Sequence, residues 1–369
     1  MIPRLRRMRV AGFRSLRDVT VDLTPVTVLI GPNGAGKSNV LWALEMVRML
    51  AYGGLQRFVS ERGGATFLMH YGPRTTPIVE LTLELETEEG DALYEARLAY
   101  GADESLIFDE EAAGFRKTPN EPWVRTVLGA GHRESALEPA SPADATAKLV
   151  HGLLRKINFY HFHDTSRHSL LRTRSFSGAV GGWPLRSDGA NLPAFLESLK
   201  NSSDPGKMAA WKRMTGLLRR VTPFITEVVP TVTEHGVILQ WRDDRGELFG
   251  PAHLSDGTLR IMALFAALAQ PEATMPMVSC IDEPELGLHP AAIEALCGLV
   301  SSVAARRQVI VSTQSPAVLD HFTPEDVIVA ERHEGATELR RLDAAALAGW
   351  LEDYSLADLY DKNVLGGRP

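Results

Sequence analysis

The sequence predicts an α/β fold: a core of buried strands and helices interrupted by a long inserted α+β region. Three observations carry this expectation. The apolar run Val26-Thr27-Val28-Leu29-Ile30 leads through the turn Gly31-Pro32-Asn33-Gly34-Ala35-Gly36-Lys37-Ser38 into a helical pattern over residues 39–46. Two further apolar runs, opening at Met277 and Arg307, read as buried strands that end in polar groups. Between these regions Val79, Leu81, Leu83 and Leu85 alternate with Glu80, Thr82 and Glu84, the period of a half-buried strand.

The elements follow in order. Residues 8–30 read as short strands broken by turns, and a helix runs on from the glycine-rich turn. Gly53-Gly54 and Gly63-Gly64 bracket a loop-rich link. Gly90-Asp91 marks a turn, after which Tyr94, Ala96, Leu98 and Tyr100 continue the alternation as a hairpin or meander. Residues 112–147 hold Pro119, Pro122, Pro139 and Pro142 without a sustained period, so an irregular segment is expected there. Helical patterning returns at 145–156 and 192–221, followed by a strand pair near 225–229 and 237–241. Trp350, Leu351, Tyr354, Leu359 and Tyr360 make an amphipathic C-terminal helix expected to dock on the core. There is no internal repeat and no heptad run.

The glycine-rich turn is G-x-x-x-x-G-K-S between a strand and a helix. Its glycines let backbone N–H groups point inward at phosphate oxygens, and the helix adds its positive N-terminal end. Asn33, Gly34, Ala35, Gly36, Lys37, Ser38 and Asn39 are therefore candidate contacts to a nucleoside triphosphate. Lys37 would reach the β- and γ-phosphates, and Ser38 would ligate Mg²⁺.

A second group of motifs lies far along the chain. Leu254-Ser255-Asp256-Gly257-Thr258-Leu259-Arg260 precedes an apolar helix pattern, placing Ser255 and Gly257 at a helix N-terminus. Plain helix capping explains Ser255 equally well on that segment alone. The strand from Met277 ends in Asp282-Glu283-Pro284. Asp282 suits a Mg²⁺ ligand, and Glu283 suits a general base for an attacking water. The strand from Arg307 ends in Ser312-Thr313-Gln314-Ser315-Pro316, polar groups able to contact a γ-phosphate or that water.

The order of these parts resembles the ATP-binding-cassette (ABC) ATPases, and within them the soluble branch of SMC, RecF and OLD-type proteins. Val10-Ala11-Gly12-Phe13-Arg14-Ser15-Leu16, Glu283-Pro284-Glu285-Leu286-Gly287-Leu288-His289-Pro290 and the tail Leu365-Gly366-Gly367-Arg368-Pro369 are similar to that branch, in particular to bacterial stand-alone AAA-type ATPases of RecF/OLD character. The resemblance is specific at residues 8–46 and 250–318 and weak between them. It implies an ABC-ATPase-like P-loop core with an inserted α+β lid or arm. It implies ATP and Mg²⁺ as cofactors, Asp282 and Ser38 at the metal, and Glu283 as catalytic base. Ser255 and Gly257 would contact the γ-phosphate of a nucleotide held by a second subunit. Gln314 takes the switch position, where many relatives have His, and Arg14 lies beside the bound nucleotide. Asp256 and His289 stand where transporter relatives usually have Gly and Asp. The metal-contacting glutamine of the lid has only Gln56 as a candidate, an exposed loop residue being the plainer reading. The OLD nucleases carry a metal-dependent Toprim domain after the ATPase. The residues after Gln314 are too few for one and contain no Glu followed by Asp-x-Asp.

Composition bounds the rest. With 44% hydrophobic and 23% charged residues the chain can bury a large core. The net charge of −7 argues against a general cationic coat for nucleic acid but leaves room for a local basic face. Arginines 4, 6, 7, 9, 14 and 17 form one basic stretch, which could be solvated charge on edge strands or a phosphate or DNA contact. Arg167, Arg172, Arg174 and Arg186 form another, where a DNA contact would lack aromatic stacking partners. His161, His163 and His168 lack further ligands at zinc spacing. Two cysteines, Cys280 and Cys297, build no disulfide framework and fit a reducing cytoplasm, and Cys280 reads as a small core residue. No apolar run is long enough to cross a bilayer, and the start lacks a signal-peptide pattern, so a cytoplasmic protein that is not exported is expected.

The expected organisation is an ATPase core from residues 1–60 and 246–369, with 61–245 as an inserted lid or arm. The leading function is an ATP hydrolase that closes as an ATP-dependent homodimer, or a higher homo-oligomer, without a membrane partner. It would act as a conformational switch in DNA maintenance or phage defence, with DNA and a separately encoded effector nuclease as partners. The alternatives are a slow, ATP-gated scaffold for a partner protein, or the ATPase subunit of a transporter.

Overall fold

The computed structural model describes residues 2–166, 168–175 and 184–367. Strands in chain order are β1 (Arg4–Phe13), β2 (Leu16–Asp22), β3 (Val26–Ile30), β4 (Ile78–Glu86), β5 (Asp91–Gly101), β6 (Ser105–Arg116), β7 (Val124–Gly129), β8 (Ile157–Tyr160), β9 (Glu227–Thr233), β10 (Gly236–Arg242), β11 (Leu248–Phe249), β12 (Val278–Asp282), β13 (Gln308–Thr313), β14 (Val327–His333) and β15 (Ala336–Arg341). The chain divides into two compact units. One comprises residues 1–158, 277–280 and 306–369, the other 159–276 and 281–305.

The first unit holds two sheets. One is antiparallel with order β2-β1-β4-β5-β6-β7; the other has order β15-β14-β3-β13-β12-β8, of which this unit supplies all but the ends of β12 and β8. β3 runs parallel to both β13 and β14. Every residue of β3 and of β13 is buried, which is why both strands read as mostly apolar runs, with Thr27 of β3 and Gln308, Ser312 and Thr313 of β13 as their buried polar residues. β4 keeps the alternation seen in the sequence, with Val79, Leu81, Leu83 and Leu85 in the core. The arginines of β1 point to the other face and pair across strands: Arg4 with Glu86 at 2.7 Å, Arg7 with Asp22 at 2.6 Å, Arg9 with Asp18 at 2.9 Å and Glu80 at 3.0 Å, and Arg6 with Glu84. Such half-exposed pairs add little stability each, but they set this basic stretch against carboxylates.

Residues 112–147 are not irregular throughout. β6 continues to Arg116, pairs with β7, and a short helix Leu137–Ala140 follows. One buried carboxylate organises the segment. Glu111 accepts from the Tyr94 hydroxyl at 2.7 Å, the Ser135 hydroxyl at 2.5 Å and the Ala136 amide at 2.7 Å, and meets His132 Nε2 at 2.9 Å. Burial, and then the Glu111 charge, pushes the Tyr94 phenol well up, so it stays a neutral donor. Cutting Glu111 back to Ala leaves this buried set without its acceptor and is expected to cost at least about 2 kcal/mol in chemical denaturation; an unchanged midpoint would refute that role.

The second unit is built on the helix Asp256–Leu268, buried on all sides from Thr258 to Leu268. It packs on helices Leu192–Lys200, Pro205–Val221 and Pro290–Ala304. The 192–221 pattern is two helices: Asp204 accepts from the Lys207 amide at 2.8 Å and Pro205 opens the second, a sequence-local start signal. β9, β10 and β11 form a small antiparallel sheet beside them.

The C-terminal amphipathic helix is shorter than expected. It spans Leu356–Asp361, started by a capping box between Ser355 and Asp358, with Leu356, Leu359 and Tyr360 buried. Trp350 and Tyr354 precede it and are 48% and 37% exposed. Arg368 and Pro369 of the tail motif, and Arg167 of the second basic cluster, lie outside the described residues. Among the described residues no helix is long and apolar enough to cross a membrane.

Candidate nucleotide-binding and catalytic site

In the first unit the glycine-rich turn connects β3 to the helix Lys37–Ala51. Gly34 and Gly36 have φ of 81° and 102°, the left-handed region that glycine enters without strain. A Cβ on Gly36 would stand 1.9 Å from Thr337 Oγ1, so no other residue fits there; on Gly34 it would meet nothing within 4 Å, leaving the outer side of the turn open. Lys37 is 5% exposed, and its ammonium donates to the carbonyls of Gly31 at 2.7 Å and Pro32 at 3.1 Å, curled over the turn. Asn33 is exposed and Ser38 half-buried. Amides at a helix start, an ammonium and a hydroxyl are the donor set a triphosphate with Mg²⁺ requires, so the residues present fit both.

A hydrogen-bond chain braces this turn. Thr337 donates to the Ala35 carbonyl at 2.8 Å and lies 2.6 Å from Ser15 Oγ, which also accepts from Asn39 at 2.6 Å. Arg14 Nε donates to Asn39 Oδ1 at 2.8 Å. Arg14 has φ of 51°, and its guanidinium lies 4.3 Å from the Trp42 ring centre, as does that of Arg62. Burial, then the charge of Arg62, lowers the Arg14 pKa. Arg62 is itself paired with Glu45. Gln314 follows β13 and is exposed. Gln56 is not a loop residue. It sits in the helix Leu55–Glu61, and its amide donates to the Leu106 and Arg133 carbonyls at 2.8 and 2.6 Å.

The second unit carries the other motifs. Asp282 ends β12, and Glu283 has φ of 43°, a left-handed conformation that costs a non-glycine residue energy and concentrates at functional sites. Ser255 caps its helix, accepting from the Thr258 amide at 3.1 Å, and is exposed. A Cβ on Gly257 would lie 2.4 Å from the Gly287 carbonyl, so the helix start and the turn after Glu283 touch backbone to backbone. Arg260 is 9% exposed and ties the same pieces together. It donates to the Phe162 and His163 carbonyls at 2.9 Å each and to the Leu286 carbonyl. Burial pulls its pKa down, only partly offset by Asp256. Burial also lowers the His163 pKa, against the opposing pull of Asp282 and then Glu283, so this imidazole is neutral at physiological pH. Cys280 and Cys297 are buried, with thiol pKa values raised by burial, that of Cys297 to about 12; neither is a nucleophile.

The sites predicted from sequence thus fall into two groups: Arg14, residues 33–39 and Gln314 in the first unit, and Ser255, Gly257, Asp282 and Glu283 in the second. Sequence reading missed Ser15, Thr337 and Arg260. Arg260 stands inside the quoted Ser255-to-Arg260 run, and an arginine among apolar residues of a buried helix was a usable signal. Ser15 and Thr337 are ordinary residues whose role exists only through their distance from Gly36.

A family model described as "AAA domain, putative AbiEii toxin, Type IV TA system" matches residues 26–320. Among characterised relatives, the OLD nuclease of Thermus scotoductus is 23% identical over 345 residues, and the Old nuclease of Escherichia phage P2 is 24% identical over 356. Each alignment covers 86% of this chain but only 60% and 58% of the relative, so the chain spans little more than half the length of these proteins. Among solved structures, the Smc head domain with an extended coiled coil from Pyrococcus furiosus, bound to the C-terminal domain of ScpA, superposes with a TM-score of 0.62 at 12% identity, covering 95% of this chain and 99% of that one. An SmcHead bound to the C-winged helix domain of ScpA gives 0.61 at 14% identity, covering 93% and 99%. The fold is therefore the α/β P-loop ATPase fold of SMC heads, as the motif order predicts. The chain belongs to this AAA domain family, and with it to the ABC-type P-loop ATPases of the SMC, RecF and OLD branch.

Proposed function

We propose that this ATPase-family chain binds and hydrolyses ATP with Mg²⁺, closes as a homodimer around two ATP molecules, and reopens on hydrolysis. The observation that carries this reading is that one chain holds both halves of a composite site: a braced phosphate-binding turn, and an exposed helix start at Ser255 tied to the Asp282-Glu283 turn. Lys37 and the turn amides would hold the phosphates, and Ser38 and Asp282 would hold Mg²⁺, which when bound would supply charge neutralisation at the phosphates. Glu283 takes the proton of the attacking water, and Gln314 orients that water by hydrogen bonding. Ser255 and Gly257 engage the γ-phosphate of the ATP carried by the second copy. The domain plan belongs to the same proposal: residues 1–60 and 246–369 form the ATPase, and 61–245 the lid or arm that transmits closure.

In the cell we place this switch in the cytoplasm, in DNA maintenance or phage defence, controlling a separately encoded effector. The OLD-type relatives support that direction. So does the helix Pro205–Val221, which has no acidic residue and presents Lys212, Arg213, Arg219 and Arg220 around the small residues Ala209 and Gly216. Among the described residues Lys212, Arg213 and Arg220 have no carboxylate partner. Reversing these four charges is expected to weaken duplex-DNA binding and to flatten its log–log salt dependence by up to about 0.9 per lost contact; an unaltered slope would place DNA elsewhere. Phosphate release with and without DNA ends tests the reading as a whole. Stimulation by ends is expected. A negligible rate with tight ATP binding would replace it with the ATP-gated scaffold, and co-purification with a membrane protein would favour a transporter subunit.

A further inference from the structure

We infer that Arg172 is the positioning residue of the Ser255 turn, holding it in the conformation that a second copy's ATP must meet. This rests on the composite-site reading above. Ser255 sits at the end of an irregular stretch, a 3-10 turn over Pro251–His253 followed by Leu254 in extended conformation. Such a stretch has no ladder to fix it. Arg172 supplies one from outside. Its Nε donates to the Thr165 carbonyl at 2.8 Å, Nη1 to the carbonyls of Leu254 at 3.1 Å and of Pro251 at 2.5 Å, and Nη2 to the Leu254 carbonyl at 3.1 Å and to Asp256 Oδ1 at 2.7 Å.

The Arg172 side chain is 9% exposed, so these bonds are made largely out of water. It is presented by its own short turn, where Ser169 accepts from the Leu171 amide and donates to the Asp164 carbonyl at 2.5 Å. One planar fork therefore grips both residues that flank Ser255, fixing where its hydroxyl and the following amides point. The same contact accounts for an aspartate at position 256, where transporter relatives usually have glycine. Asp256 is 70% exposed, so its ion pair contributes little alone, and the carbonyl bonds do the holding. Beside the fork lies a cavity of about 670 Å³ lined by Thr165, Ser166, Arg172, Leu254, Ser255 and Asp256, room for part of a nucleotide brought by another copy. Lysine cannot replace this fork, because a point charge does not present several donors in one plane.

The test uses the full chain carrying Glu283→Gln for dimerisation and the native Glu283 for turnover. With Arg172→Ala, affinity for a fluorescent ATP analogue in the absence of dimerisation is expected to stay near the parent value, while the melting temperature falls modestly as the buried carbonyls lose their donor. ATP-driven dimerisation and turnover are both expected to weaken about tenfold or more. Arg172→Lys, which keeps the stem and charge and so guards against a folding failure, is expected to show the same loss. Wild-type dimerisation and turnover in Arg172→Lys, or a parallel fall in melting temperature and analogue binding in both variants, overturns the inference. Ser255→Arg separates the two failures. If it blocks dimerisation while the Arg172 variants do not, only the positioning role is wrong; if it has no effect, the composite-site reading falls as well.

Discussion

Glu283→Gln lowers ATP turnover by about 10²–10⁴-fold, the contribution of a positioned general base, while leaving ATP affinity intact. The amide is isosteric with the carboxylate, so the left-handed backbone at φ 43° and the adjoining turn held by Arg260 are undisturbed. What is lost is the capacity to accept the water's proton. On the proposed cycle the closed dimer then lacks the hydrolysis that reopens it, and ATP-bound complexes should accumulate and survive gel filtration. Single-turnover phosphate release checks the chemistry directly. Wild-type release from this variant would remove Glu283 from the role of base.

Lys37→Ala is expected to reduce triphosphate affinity by about 100-fold or more, two tenfold steps of about 1.4 kcal/mol each. The ammonium is buried over the turn and donates to two of its carbonyls, so its charge is already desolvated and aimed. Removing it takes away the positive charge nearest the β- and γ-phosphates and leaves the turn without those two internal bonds. Diphosphate affinity should fall less than triphosphate affinity. Equal losses for both nucleotides would show that Lys37 shapes the turn without contacting the γ-phosphate.

Much of this was legible in the sequence because the physics is local. The turn at 31–38 needs glycine at 34 and 36 for backbone reasons, and residues 26–30 are apolar apart from Thr27 because β3 is buried on both faces. The alternation at 79–85 reports a sheet with one core face. What was not legible depends on single side chains acting across distance. Residues 112–147 looked irregular because no periodicity announces that Glu111 collects Tyr94, His132 and Ser135. The helix expected from Trp350 to Tyr360 is cut short because Ser355 and Asp358 form a start signal inside the apolar pattern. Arg172 lies in a basic cluster weighed as a DNA contact, and its actual partners are backbone carbonyls and Asp256, invisible to any composition argument. Arg4, Arg6, Arg7 and Arg9 show the opposite case, where cross-strand register hands each one a carboxylate.

The central claim is that the phosphate-binding turn of one copy works with Ser255 of another. Mixing two impaired variants that leave the interface unobstructed, Lys37→Ala and Ser255→Ala, tests it most directly. In a mixed dimer one site combines both defects and the other is wholly native, so an equimolar mixture should recover about a quarter of wild-type turnover, given random pairing of an isologous dimer. A mixture as impaired as either variant alone would contradict the account, because it would mean that each site is completed within a single chain.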